Sequence, residues 1–390
     1  GQEPVFPMAM SLTSTIGTSM TRGVASVSGG SVSCIASSSD TGEVVSISDA
    51  DENSDCQSTS YQYKDLLSSE ELITATCPSK GIFFGRGTRL NESVAVAGGG
   101  GAISSTLCSI EMIGTSIAKS TTQKGDGGAI LLSLESTLRV DDTTTFESNV
   151  AKVGSGGAIS CEQCDWMKFK GSTEFRSNKA RNSGGAVHLS LPMSPVISAG
   201  THFFGNTASV GNGGAVNIHN GNWTSLGDSF EANMAVEGSG GAFSSFATTV
   251  RFDETTSCRR NSALQGGGGC LLWEPEADSA TDNKWKTLEP VIGNKSLMAS
   301  NEAAYGKTLA TPGASLLAVV DSAGSTTTMT RMTTNDKNMF AALHPKVQVL
   351  DRYGVIVRGK FAENVEVEAK LHGDDGAELF GATITKVSKN

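Results

Sequence analysis

Phe146-Glu147-Ser148-Asn149-Val150-Ala151-Lys152-Val153-Gly154-Ser155-Gly156-Gly157-Ala158-Ile159 is the stretch that decides how this chain folds. Its end, Gly-Gly-Ala, recurs at Gly100-Gly101-Ala102, Gly127-Gly128-Ala129, Gly184-Gly185-Ala186, Gly213-Gly214-Ala215 and Gly240-Gly241-Ala242. A seventh copy, Gly268-Gly269-Cys270, puts Cys in place of Ala. The third positions lie 27, 29, 28, 29, 27 and 28 residues apart. Its beginning, an aromatic residue with Asn three places on, recurs about twelve residues upstream of five copies. The pairs are Phe146 and Asn149, Phe175 and Asn178, Phe203 and Asn206, and Phe230 and Asn233, with Cys258 and Asn261 as a variant. Two signatures locked in phase at so even a spacing mark an internal repeat, the first thing a sequence must be searched for.

Each Gly-Gly-Ala leads into a short run of β-branched and alternating residues, such as Ala186-Val187-His188-Leu189 and Ala215-Val216-Asn217-Ile218. These read as strands, separated by Asn, Ser, Thr and Gly. A period of about 28 residues is too short for a propeller blade or a βαβ unit, and fits one coil of a parallel β-helix. One coil cannot bury its own apolar face, so stacking supplies the stability. The expected roles are structural. The Phe positions form an inward aromatic column. The Asn positions form an amide ladder at a corner, where Asn tolerates the left-handed conformation. The Gly pair supplies positive φ and lets coils approach.

The paired GGA and FxxN motifs resemble those of the polymorphic membrane proteins of chlamydiae. They also resemble the Pmp-like repeats of large extracellular proteins in some protists and algae. The resemblance covers residues 98–306, and more loosely 10–97. It implies an all-β, right-handed parallel β-helix on a cell surface, with adhesive or scaffold roles. In chlamydiae the tetrapeptides themselves are linked with adhesion to host cells. The chlamydial proteins end in an autotransporter β-barrel, for which residues up to Asn390 show no pattern, so the protist or algal type is the better fit.

Composition agrees with a solenoid: 46 Gly against 15 Phe, 4 Tyr and 4 Trp in 390 residues. A net charge of −10, with no run of Lys or Arg, argues against nucleic acid as a partner. No apolar stretch is long enough for a membrane-spanning helix. Gly1-Gln2-Glu3-Pro4 reads as the start of a mature or trimmed product.

Residues 1–97 read as atypical N-terminal coils with an insertion, in which Tyr63 to Thr74 is expected to be helical. Residues 98–310 are the regular array, with an acidic insertion at Glu274 to Pro290 and a last coil around Met298 to Asn301. Residues 311–343 read as a linker or cap. Residues 344–390 alternate cleanly at Val347 to Val349, Val355 to Val357 and Val365 to Ala369. They are expected to open an Ig-like β-sandwich. Either the natural chain continues past Asn390 or a neighbouring subunit completes that sheet.

The eight cysteines, Cys34, Cys56, Cys77, Cys108, Cys161, Cys164, Cys258 and Cys270, fit a disulfide-permitting compartment. Cys161 with Cys164 and Cys258 with Cys270 are close enough to pair locally. A zinc site would need a second matching pair. Asn91, Asn222 and Asn294 head glycosylation sequons. Asp49, Asp51, Asn53 and Asp55 are spaced like calcium ligands. Gly is missing at the sixth place and Ser60 stands where a bidentate Glu belongs, so a solvated acidic loop is the better reading.

An enzyme on this fold would need convergent carboxylates on adjacent coils. Asp141, Asp142, Asp228, Asp253 and Glu254 do not fall at equivalent positions. His188 and His219 share a strand face, one coil apart, and read as solvent-facing. The expected function is therefore an extracellular structural or adhesive module of a longer chain, in a filament, appendage or wall layer. It needs no cofactor, and its partners are copies of itself or neighbouring surface proteins and glycans. A shed adhesin passenger and a polysaccharide lyase or hydrolase are the alternatives.

Overall fold

The computed structural model describes residues 81–276, 288–319 and 346–359. It also describes the strands Ser19–Thr21, Val24–Ala25, Val32–Ile35, Val44–Ile47, Tyr61–Lys64, Leu72–Ala75, Glu366–Glu368 and Ile384–Lys386. One coil shows the plan. Ile159–Glu162, Met167–Phe169, Glu174–Arg176 and Lys179–Ala180 are four short strands separated by corners. Each lies parallel to its equivalents in the coils before and after, forming four sheets of nine, nine, eight and nine strands. In chain order we call these the Ala sheet (following Gly-Gly-Ala), the return sheet, the Phe sheet and the short-strand sheet. The result is an all-β parallel β-helix with the repeat as its coil.

The core follows from strand alternation, because every second side chain points inward. Phe146, Phe175, Phe203 and Phe230 are fully buried and pair in register. Successive rings stack at 4.8, 4.9 and 4.8 Å, tilted by no more than 5°. That spacing is the rise between hydrogen-bonded strands, about 4.8 Å, so backbone pairing and ring stacking demand one geometry. Small residues fill the tight side: Ala151, Ala180, Ala208, Ala235 and Ala263 line the short-strand sheet. One core cluster runs from Ile82 to Met298.

The two glycines of each motif do different work. Gly156 sits at φ 66°, closed to most side chains, whereas a Cβ on Gly157 would run into the Gly185 carbonyl of the next coil.

Coil pairing begins before residue 98. Gly81–Phe84 and Arg89–Asn91 pair with Ser109–Ile113 and Ser116–Ala118, and the early strands Val44–Ile47 and Ser19–Thr21 pair with them in turn. Of the span expected to be helical, Tyr63 to Thr74, the described ends are extended instead, and residues 65–71 lie outside the described residues. Tyr61–Lys64 and Leu72–Ala75 form an antiparallel pair. Aromatic and β-branched residues there favour an extended chain over the spacing of Leu66, Leu67 and Leu72.

At the other end, Asn301 and Glu302–Tyr305 continue the stack, and Leu309–Ala310 pairs with Leu271 and Leu272. The expected linker contains a strand. Ser315–Val319 pairs antiparallel with Lys346–Leu350. Val349 and Val357 bury against Leu272, Tyr305 and Ala310, and Trp273 Nε1 donates to the Tyr353 hydroxyl at 2.7 Å. The segment is thus docked on the last coils. Beyond it, Glu366–Glu368 pairs with Ile384–Lys386. The described residues there form these strand pairs, and the rest of the segment expected to open a sandwich lies outside the described residues.

Candidate functional site

The signature residues are the natural place to look for function, and the fold consumes them. Asn149, Asn178, Asn206, Asn233 and Asn261 are fully buried, and Asn301 nearly so. Asn178 Nδ2 donates to Asn206 Oδ1 at 3.0 Å and to the Phe146 carbonyl at 2.9 Å. The Asn178 backbone N–H also donates to Asn206 Oδ1, at 3.0 Å. The same set repeats from Asn206 to Asn233, Asn233 to Asn261 and Asn261 to Asn301. Each amide from Asn149 to Asn261 therefore has both its hydrogens and its oxygen engaged, as a buried polar group requires.

One expected role is corrected. Asn is not the left-handed residue of this corner. The residue before it is: Ser148, Ser177, Gly205, Ala232 and Arg260 have φ of 56°, 55°, 65°, 54° and 57°. Asn is there because only a primary amide donates twice and accepts twice within one coil rise.

Two further columns line the coil. Thr88, Thr115, Thr144, Thr173, Thr201 and Thr256 are buried two places before the aromatic position. Thr144 Oγ1 donates to the Asp141 carbonyl at 2.8 Å and Thr173 Oγ1 to the Lys170 carbonyl at 2.7 Å, tying the preceding corner, whereas Thr201 Oγ1 has no protein partner. Asp126, Ser155, Ser183, Asn212 and Ser239, just before each Gly pair, pass a hydrogen bond from coil to coil. Asn212 Oδ1 accepts from the Ser239 N–H at 2.8 Å, and Ser239 Oγ from the Gly267 N–H at 3.0 Å. The recurrence of a small polar residue at these places was the available signal.

The cysteines also face inward. Cys161 and Cys164 form a disulfide with Cα atoms 5.8 Å apart, and Cys258 and Cys270 one at 6.0 Å, all fully buried. Cys258 continues the column below Phe230 and Cys270 takes the Ala place, so that bridge crosses the coil interior. Cys108 is disulfide-bonded as well. Cys34 lies in a strand paired with Ile103–Thr106. Cys56, Cys77, Asp49, Asp51, Asn53 and Asp55 lie outside the described residues.

The acids do not converge. Asp141 and Glu111 both pair with Arg139, each at 3.1 Å, and Asp142 pairs with Arg86 at 2.7 Å. Burial pushes the Glu111 carboxyl up to about 7, against the pull of Arg139. Asp253 gathers the N–H groups of Gly227 and Thr256 and the Thr256 hydroxyl around Oδ1, which hold its carboxyl below the usual range against its partial burial. Asp228 points into the core. Among the described residues, no group of three or more His, Cys, Asp or Glu is placed to hold a metal ion.

His188 and His219 face away from the core but are half-buried rather than solvated. The rings lie 5.9 Å apart, and His188 Nδ1 is 2.9 Å from Asn217 Oδ1. Burial, reinforced by His219, lowers the His188 pKa to about 4.

The variable middle of each motif faces outward. Glu147, Arg176, Phe204, Glu231 and Arg259 pair in register and project from the Phe sheet. Arg176 pairs with Glu174 at 2.8 Å and lies over the Phe204 ring at 5.8 Å. Glu231 pairs with Arg260. This face is largely exposed and of mixed charge. Of the sequon residues, Asn222 is exposed at the head of Asn222–Leu226, while Asn91 and Asn294 are half-buried. No helix of the described residues is long and apolar enough to cross a membrane.

Residues 143–162 match the family model of the Chlamydia polymorphic membrane protein repeat. No curated protein and no solved structure matches the chain. The matched segment spans the first Thr–Phe–Asn corner, its Gly pair and the strand that follows, so the matched pattern coincides with the parts that build one coil. The chain carries a repeat of this type, and repeat and β-helix together fit a passenger-like surface module.

Proposed function

We propose, for a chain that carries polymorphic membrane protein repeats wound into a β-helix, a non-catalytic role at the cell surface, as a scaffold or adhesive module acting through its outer faces. One observation carries this reading. The repeat's Phe, Asn, Thr and Gly are spent on the interior, while the exposed residues between them change chemistry from coil to coil. A partner would read the row Glu147, Arg176, Phe204, Glu231 and Arg259, not the motif itself. The buried disulfides support an oxidising compartment, and Asn222 is the sequon residue best placed for a glycan.

The test uses the full chain. An antibody against folded protein should label intact, unpermeabilised source cells. Replacing Glu147, Arg176, Phe204, Glu231 and Arg259 together by Ser should abolish assembly or cell adhesion and leave the unfolding midpoint nearly unchanged. Labelling only after permeabilisation, or adhesion untouched by that replacement, would overturn the proposal. Depolymerisation of a polysaccharide by the purified chain would favour the enzyme reading.

A further inference from the structure

One part of the interior breaks the apolar rule. On the return sheet the inward column runs Phe84, Met112, Val140, Phe169, Ser198, Ser225 and Phe252, all in register. Two serines thus stand where the flanking coils place phenyl rings, and Trp223 of the neighbouring column packs beside them. The Trp223 indole leans among Phe169, Phe203 and Phe243, at 6.2, 6.4 and 5.4 Å, and donates from Nε1 to Ser225 Oγ at 2.9 Å.

In the same two coils the buried Thr column is interrupted once, by Asp228. Its Oδ1 accepts the Thr201 N–H at 2.9 Å, and the Ser225 and Ser198 hydroxyls come near enough to its carboxyl to act on it as donors. Three atoms here are sealed from solvent without a well-formed hydrogen bond, the approach of the Ser198 hydroxyl to the carboxyl being too loose to make one: Asp228 Oδ2, Ser198 Oγ and Thr201 Oγ1. Buried polar atoms of native proteins are almost always satisfied, by protein or by ordered water. A polar, roomy niche with several convergent groups is where an internal water binds.

We propose that Asp228, Ser198 and Thr201 form an internal hydration site, in which an enclosed water molecule bridges the Asp228 carboxyl to the two hydroxyls. Deletion of a ring on the return sheet and the Thr-to-Asp exchange at the corner are then one feature, since a carboxyl without the serines would face hydrocarbon. The proton that burial favours on this carboxyl has the water as its acceptor.

A high-resolution crystal structure of the full chain tests this directly. A solvent peak at hydrogen-bonding distance from all three atoms is the expected result. Oxygen-17 relaxation dispersion should count one fewer long-lived internal water in Asp228→Thr, which restores the column residue, and in Ser198→Val, which matches Val140. Wild-type density with no such peak, and the carboxyl bonded directly to a serine hydroxyl, would overturn the proposal. So would a peak at the shorter distances of a cation. Should a variant fail to fold, the wild-type density decides alone.

Discussion

The Phe sheet and the return sheet enclose the same core, and they are built on opposite terms. Along the Phe sheet four identical rings stack in register beside an unbroken run of six asparagines. Across the coil, the return sheet places Met112, Val140, Phe169, Ser198, Ser225 and Phe252 at one equivalent position. A side-chain amide ladder is directional and fixed to the coil rise, so each member must be the same. Apolar packing is not directional. There a bulky residue in one coil, such as Trp223, offsets a small one beside it, as cores of conserved total volume allow.

That contrast has measurable consequences. The largest is at Asn206. Its replacement by Ala strands the Asn178 N–H and the Phe175 carbonyl and takes one of the two partners of Asn178 Nδ2, and should cost about 2–6 kcal/mol, from ~1–3 kcal/mol for each of the two buried groups left unpaired. A loss under about 1 kcal/mol in urea unfolding would break the claim that the ladder is obligatory. Next comes packing. Phe203→Ala should cost about 3–5 kcal/mol, and Phe169→Leu on the return sheet no more than about 1.5 kcal/mol. Equal costs for conservative Phe→Leu changes at both positions would erase the distinction.

A third effect is read in pH. Burial pushes the Asp228 carboxyl up to about 7, helped by the nearby Asp253 charge and opposed by its hydrogen bonds. The folded chain then holds a proton that the unfolded chain releases near pH 4, so this group's contribution to stability falls as pH rises from about 4 to about 7 and is level above that. Each pKa unit is worth about 1.4 kcal/mol, so Asp228→Asn should gain on the wild type by a few kcal/mol across that window. A constant difference between the two proteins from pH 4 to pH 8 would refute it. Glu111 acts in the same direction, and His188 in the opposite one between about 4 and 6.5. Titrating the single variants keeps the three apart. The smallest effect belongs to the outer face: Arg176→Ala should move stability by less than about 0.5 kcal/mol, although the same residue belongs to the row offered to partners.

Spacing alone specified the coil. The 28-residue period, the Phe and Asn columns and the Gly pair are all one-dimensional facts, because a solenoid maps sequence period directly onto stacking neighbours. The local cysteine pairs were legible for the same reason. The left-handed residue of the corner was not, since the amide's hydrogen bonds, rather than its tolerance of positive φ, place Asn one step later. The Thr column and the polar ladder before the Gly pair were written in the repeat but at low information, as Ser and Thr are common throughout. Only the tertiary structure decided that 315–319 docks with 346–350, that Tyr61–Lys64 is a strand, and that Asp228 faces inward while Asp253 ties a corner. Those outcomes depend on what lies across the coil or in a segment far along the chain, and periodicity carries no record of either.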